Sequence, residues 1–160
     1  MIRLSECALQ CIGSAFGIPD ANGIKDFGDR IWQRSREQEK ALAYVNGVID
    51  RIINKARGIL PFNSLILAII AIIYRSNPGW FIVALSLLAG FLLSASSLIL
   101  LLTMFWPHFG KMEEYSSYQA EFDSTVLIIR KRALALVCAT LLSCIGFLSA
   151  AFAILGRIVS

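Results

Sequence analysis

Three long stretches without a charged residue dominate the hydrophobic pattern of the chain. They are residues 59–74, 79–106 and 133–156, which contain 16, 28 and 24 residues. A helix of about 20 apolar residues crosses the hydrocarbon core of a bilayer. The shorter first stretch can still span, because Arg57 and Arg75 on its flanks can extend their aliphatic stems to the two interfaces. The pattern therefore predicts three transmembrane helices.

A short polar segment, Ser76-Asn77-Pro78-Gly79, separates the first two stretches. Proline fixes one backbone dihedral, and asparagine and glycine tolerate positive φ, so this segment is predicted to be a tight turn. Trp80 and Trp106 lie at the ends of the second stretch, where aromatic side chains favour the membrane interface. Residues 59–106 are therefore predicted to form a transmembrane hairpin.

The two charged segments also carry helical patterns. Residues 26–58 contain no proline and place apolar residues near a helical period, and residues 110–132 repeat apolar side chains at spacings of three and four. Each helix is expected to continue into the span that follows it, with Pro61 as a kink in the first. Their apolar faces are expected to pack together or against neighbouring protomers.

The predicted fold class is an all-α integral membrane protein with three transmembrane helices and long cytosolic helical extensions. Its predicted organisation is a short N-terminal helix and turn at 1–25, a cytosolic helix at 26–58, the transmembrane hairpin at 59–106, a cytosolic amphipathic helix at 107–132, and the third transmembrane helix with the tail at 133–160.

The distribution of charge predicts the orientation of the chain. Only 16% of the residues are charged, against roughly a quarter in an ordinary soluble domain. Segments 1–58 and 107–132 hold 13 of the 15 Lys and Arg residues. Positive charge favours the cytoplasm, which predicts a cytoplasmic N-terminus and a periplasmic C-terminus. No secretory signal is expected, because Glu6 interrupts the first apolar stretch.

The residue types that carry catalysis or bind metals are sparse. Cys7 and Cys11 would share a helix face, but His108 is the one histidine and a metal site needs further ligands. We find no phosphate-binding loop and no nucleophile motif, so neither a cofactor nor an enzyme activity is expected. No Asp, Glu, Lys, Arg or His lies in the three apolar stretches, which disfavours an ion-coupled transporter. The lipid bilayer, and not nucleic acid, is the expected partner.

Small residues recur at helical spacing in the second and third stretches, and such residues let helices approach closely in lipid. They are predicted to mediate helix–helix packing, either within the chain or between chains of a homo-oligomer: Ser86, Gly90, Ser94, Ala139, Ser143, Gly146 and Ala150. In the first stretch, Asn63 is expected either to join helices by hydrogen bonding or to line an assembled pore.

Residues 44–63, YVNGVIDRIINKARGILPFN, resemble the juncture before the transmembrane hairpin in small membrane effectors of bacterial anti-phage defence. The similarity is to the Pycsar transmembrane effector family, and Lys55, Ala56, the apolar pair at 59–60 and Asn63 carry it. No aspartate holds the usual place before the lysine. The resemblance implies a role in abortive infection. Such an effector is held inactive until an infection signal arrives, such as a cyclic nucleotide. The effector then assembles in the inner membrane and impairs it.

Because the sequence has no nucleotide pocket of its own, sensing through a cytosolic partner protein is the alternative route. The leading hypothesis is thus an oligomeric inner-membrane effector that impairs membrane integrity on an infection signal. Two alternatives remain open on the sequence: a non-catalytic membrane subunit or scaffold of a larger complex, and a phage holin or exclusion protein.

Overall fold

The computed structural model describes residues 11–34, 38–75, 79–105 and 118–159. Beyond a short helical segment at 11–15, the described residues form four helices and no strand. The helices are α1 (Ala21–Arg34), α2 (Gln38–Arg75), α3 (Trp80–Phe105) and α4 (Tyr118–Val159). Among the described residues, α2, α3 and α4 are long and apolar enough to cross a membrane. The predicted fold class, an all-α membrane protein with three spans, is therefore confirmed.

The segment before α1 shows how local sequence sets helix ends. Gly17 has a φ of 69°, and the N–H groups of Gly17 and Ile18 donate to the carbonyls of Ser14 and Gly13 at 3.2 and 2.8 Å. This is the Schellman arrangement that closes a helix. Asp20 then caps α1, because its Oδ1 accepts from the N–H of Gly23 at 2.7 Å. Between Gly17 and Asp20, within the segment predicted to hold a helix and a turn, one helix thus ends and the next begins directly.

The chain divides into two compact units. The first, unit 1, consists of Met1–Asn54 and Trp106–Ala135. Its buried apolar residues recur at spacings of three and four, as expected for helices that each bury one face. On α2 and α4 these are Ala41, Val45, Ile49, Ile52, Phe122, Val126 and Ile129.

Helix α1 lies against α4 within unit 1. A Cβ at Gly28 would stand 3.3 Å from Val126 Cγ2 and 3.4 Å from Phe122 Cε1, so the missing side chain allows close approach. The rings of Trp32 and Phe122 are 5.2 Å apart and tilted by 49°. Arg130 Nε also donates to the carbonyl of Pro19 at 3.1 Å. The N-terminal segment is therefore fixed to α4 by both apolar and polar contacts.

Unit 2 consists of Lys55–Phe105 and Leu136–Ser160, and it contains the three apolar stretches apart from residues 106 and 133–135. Its core has two apolar layers, which are named here by their leucines. The Leu100 layer is Ala56, Leu100 and Ala139, and the Leu93 layer is Ile66, Ile70, Ala89, Leu93 and Ala150. From the Leu100 layer to the Leu93 layer, residue numbers increase along α2 and α4 and decrease along α3. Helix α3 therefore runs antiparallel to both of its neighbours.

Helices α2 and α4 each continue from a charged segment into an apolar stretch. Helix α2 runs through Pro61, and α4 runs through the three basic residues at 130–132. The predicted continuity is thus observed from Gln38 and from Tyr118 onward, whereas the kink at Pro61 and the predicted segment boundaries stay predictions. Some features singled out in the sequence lie outside the described residues: Glu6, Cys7, Ser76, Asn77, Pro78, Trp106 and His108.

Candidate functional site

Four polar side chains meet inside unit 2 and form what we call the polar cluster. They are Asn63 of α2, Ser96 and Ser97 of α3, and Ser143 of α4. Asn63 and Ser96 are 0% exposed and Ser143 is also buried. Buried polar groups in a span are costly unless they bond to one another. The polar cluster is therefore the feature of the apolar region that most requires an explanation.

The amide of Asn63 joins α2 to α3. Its Nδ2 donates to Ser96 Oγ and to Ser97 Oγ, each at 3.2 Å. Ser97 Oγ in turn donates to the carbonyl of Leu93 in its own helix at 2.8 Å. The structure therefore shows Asn63 bonded to a neighbouring helix, whereas a role in lining an assembled pore stays a prediction.

The hydroxyl of Ser96 joins α3 to α4. It donates to the main-chain carbonyl of Ala139 at 2.8 Å, and it lies 2.7 Å from Ser143 Oγ. Because the single hydrogen of Ser96 goes to that carbonyl, Ser143 must be the donor in the contact between the two hydroxyls. All three helices of unit 2 are thus linked through one serine.

One polar atom of the cluster has no hydrogen-bond partner among the described residues, and that atom is Asn63 Oδ1. Both amide hydrogens are used, and the hydrogens of Ser96 and Ser97 are committed to main-chain carbonyls. Rotating the amide by 180° would therefore point its oxygen at two hydroxyl oxygens with no hydrogen to offer. An unpaired acceptor of this kind costs about 1–3 kcal/mol.

The polar cluster lies between the two apolar layers. On α2, Asn63 stands between Ala56 and Ile66, and on α3 the serines stand between Leu93 and Leu100. The cluster is thus enclosed along the helix axes, and three of its four side chains are buried within unit 2, whereas Ser97 is half-buried.

The predicted packing residues of α4 all lie in the interior. Ala139, Ser143 and Ala150 are buried, and a Cβ at Gly146 would stand 2.9 Å from Leu93 Cγ. That distance is shorter than side-chain packing allows, so only glycine fits at position 146 without movement of its neighbours.

The predicted packing residues of α3 divide between the two sides of the helix. Ser86 is 1% exposed, and its Oγ has no hydrogen-bond partner among the described residues. A Cβ at Gly90 would meet nothing within 4 Å, and Ser94 is exposed. Residues four apart on an α-helix differ in direction by about 40°, because one turn takes 3.6 residues. Ser86, Gly90 and Ser94 therefore point progressively farther from the interior. A packing role for Gly90 and Ser94 stays a prediction.

The juncture residues have different environments. Ala56 is fully buried in the Leu100 layer, Asn63 is in the polar cluster, and Lys55 is exposed. The role that the resemblance implies for these three residues also stays a prediction. No group of three or more His, Cys, Asp or Glu side chains in the described ranges is placed to hold a metal ion.

Sequence reasoning singled out Asn63 and Ser143 but missed their partners Ser96 and Ser97. The signal was present: two adjacent hydroxyls interrupt the middle of a 28-residue stretch without charge. A hydroxyl in such a stretch requires an acceptor, and in a helix its own i−4 carbonyl satisfies it in many cases. Only the structure shows that Ser96 bonds across helices whereas Ser97 bonds within its own.

Residues 37–128 match the family model described as the Pycsar effector protein domain. The matched region is more than half of the chain and covers the whole of α2 and α3 and the first part of α4. It includes Asn63, Ser96 and Ser97, and it ends before Ser143. No curated protein and no solved structure matches the chain.

Proposed function

The chain belongs to the Pycsar effector family, and from this premise we propose that it impairs the integrity of the bacterial inner membrane as a homo-oligomer during abortive infection. Membership of this family makes the chain a membrane effector of anti-phage defence. Pycsar effectors respond to cyclic nucleotide signals. We propose that such a signal reaches this chain either directly or through a cytosolic sensor protein.

Action on the membrane is supported by how little of the apolar surface the chain covers by itself. In each of the three span helices, no more than 28% of the most apolar window is buried. The remainder is available to lipid or to other copies of the chain. Large exposed side chains such as Phe91, Phe105 and Phe152 are the kind that favour such contacts.

Assembly into a homo-oligomer is supported by the contrast between two glycines. Leu93 fills the space beside Gly146 within unit 2. Gly90, in contrast, has open space where a Cβ would stand, and the nearby Ser94 is exposed. Small residues on an exposed helix face let a second helix approach closely in lipid. We propose that this side of α3 contributes to contacts between protomers.

The proposed orientation places unit 1 in the cytoplasm and the C-terminus in the periplasm. Its support is the distribution of Lys and Arg, of which 13 of 15 lie in the two charged segments. A cytoplasmic unit 1 would be exposed to a signal made inside the infected cell, as the proposal requires.

The proposal is tested by infecting cells that carry the chain with its neighbouring genes and reading membrane potential with a dye. Protected cells are expected to depolarise before the phage lyses unprotected ones. Cells that are protected while their potential stays intact would contradict the proposal.

The oligomer is tested by two glycine variants with matched surroundings. Gly90→Leu is expected to weaken assembly in detergent and to reduce depolarisation, because it places a bulky side chain on the proposed contact face. Gly47→Leu is the control, since Gly47 also has nothing within 4 Å but lies in unit 1. Equal oligomer sizes for both variants would exclude this face of α3 from the assembly.

A further inference from the structure

A pair of exposed phenylalanine rings bridges α2 and α4 within unit 2. The ring centroids of Phe62 and Phe147 are 5.7 Å apart and the rings are tilted by 44°. The two side chains are 46% and 42% exposed, so the chain leaves much of this apolar surface uncovered. In a bilayer, the acyl chains of lipids are as apolar as such a surface and can cover it.

A basic side chain lies on the same side of α2 as this pair. Lys55 precedes Phe62 by seven residues, or two helical turns, so the two side chains share a face and lie about 10 Å apart along the axis. Lys55 is exposed, and so is Gly58 between them, where a Cβ would meet nothing within 4 Å. The surface from Lys55 to the two rings is therefore open.

Lys55 lies at a level where the neighbouring helix is still apolar. The residue next to it, Ala56, belongs to the Leu100 layer. Beyond Leu100, α3 continues without a charge to Phe105, a further length of about 7 Å. On this part of α3, Leu102 and Phe105 are 50% and 72% exposed. A cation beside such a surface in lipid is costly unless polar groups of opposite charge are within its reach.

Unit 2 cannot supply that opposite charge, because all 11 acidic residues of the chain lie outside it. The nearest acidic residue along α2, Asp50, precedes Lys55 by five residues and points about 140° away from it around the helix. A second copy that packs through its own unit 2 brings no acidic side chain either. The phosphate groups of the phospholipids are the anions that the bilayer itself supplies.

We propose that Lys55, Gly58 and the pair of Phe62 and Phe147 form a binding site for one anionic phospholipid. The ammonium group of Lys55 binds the phosphate, and an acyl chain lies against the two rings. Gly58 leaves the path between them free of side chains. The site requires only that unit 2 lies in a bilayer, so the inference goes beyond the proposed function and does not depend on damage to the membrane.

The headgroup end of the site is tested by native mass spectrometry of the purified full-length chain in neutral detergent. The measured quantity is its affinity for phosphatidylglycerol relative to phosphatidylcholine, and the wild type is expected to prefer phosphatidylglycerol. Lys55→Gln is expected to lower this preference by about fivefold, which is the contribution of one basic residue beside anionic headgroups. Lys25→Gln is the control, because Lys25 is an exposed lysine of unit 1, and it should keep the preference.

Equal preferences in Lys55→Gln and Lys25→Gln would overturn the inference. Lys55→Arg retains the charge and should retain the preference, which separates loss of binding from a change in folding. Inorganic phosphate in large excess should not displace phosphatidylglycerol from the wild type. Displacement by it would show a site for free phosphate and would contradict a site for a phospholipid.

The acyl-chain end of the site is tested by removing one ring. Phe147→Ala is expected to weaken the binding of both lipids and to leave the preference between them unchanged, because the rings contact only the acyl chain. Phe152→Ala is the control, since Phe152 is 63% exposed on the same helix and does not pair with Phe62. If both variants have wild-type helix content and bind the two lipids equally well, the aromatic pair is not part of the site and the inference is wrong.

The outcomes separate this inference from the proposed function. A loss of lipid preference confined to Lys55→Gln, together with intact potential in protected cells, would keep the site and remove the proposed mode of defence. Depolarisation of infected wild-type cells, together with no lipid preference in the purified chain, would keep the effector and remove the site.

Discussion

Replacing Gly146 by alanine gives the most direct test of how the spans are packed. The new Cβ would stand 2.9 Å from Leu93 Cγ, 3.1 Å from Leu93 Cδ2 and 3.4 Å from the carbonyl oxygen of Ala89. Carbon atoms in contact prefer separations of about 3.5–4.0 Å. Leu93 must therefore move by more than half an ångström inside a layer in which it is fully buried.

The magnitude follows from two opposing terms. Overpacking of a well-filled core typically costs about 1–3 kcal/mol. Replacing glycine by alanine inside a helix gains up to about 1 kcal/mol of helix propensity. Gly90→Ala receives only the second term, because nothing lies within 4 Å of its Cβ. The difference in unfolding free energy between the two variants isolates the steric term, and we expect it to be about 1–3 kcal/mol.

The assay is reversible unfolding in mixed micelles, in which helix content is followed as the fraction of denaturing detergent rises. Gly146→Ala is expected to unfold at a lower fraction than the wild type, and Gly90→Ala at the same or a higher one. If Gly146→Ala is as stable as Gly90→Ala, then α3 and α4 do not pack as described.

Three further substitutions test other parts of the chain. Ser96→Ala is expected to destabilise unit 2 by about 1 kcal/mol in the same assay, because it removes the hydrogen bonds that join three helices. Ser64→Ala is the control and should have no effect, because it loses only a hydrogen bond within α2. Equal losses of stability in the two variants would contradict the helix-joining role of the polar cluster. Gly58→Ala is expected to stabilise α2 by up to about 1 kcal/mol, since its Cβ meets nothing within 4 Å, and a loss of stability would show a close contact at that position. Gly28→Leu is expected to detach α1 from α4 and change tryptophan fluorescence, whereas Gly47→Leu should leave the spectrum unchanged; identical spectra for both would refute the packing of α1.

The spans were predictable because long uncharged runs have few physical solutions. A backbone in lipid must satisfy its own hydrogen bonds, so length and the absence of charge suffice to predict a helix. Continuity through Pro61 was also predictable, since the residues on both sides of it favour helix. The structure adds that α1 begins at Ala21, where Asp20 supplies the cap.

The arrangement of the candidate site was less predictable, and the reason is geometric. Gly90 and Gly146 belong to the same kind of small-residue pattern, yet one meets open space and the other meets Leu93. The spacing of small residues in the sequence does not indicate whether each one faces the interior of unit 2 or its surface. Asn63 drew attention because an amide is rare in a span, whereas Ser96 did not, because serine is equally at home as a small packing residue.

The bond from Ser96 to Ala139 uses a main-chain acceptor, and this affects how the link between α3 and α4 withstands mutation. No substitution at position 139 can delete a carbonyl group, so the link tolerates sequence change on α4 as long as the side chain stays small enough for a fully buried site. This hydrogen bond can be lost by a single substitution only on α3, where the side chain at position 96 supplies the donor. In a random mutagenesis screen for variants whose spans no longer pack together, substitutions at Ser96 should therefore be recovered more often than conservative substitutions at Ala139.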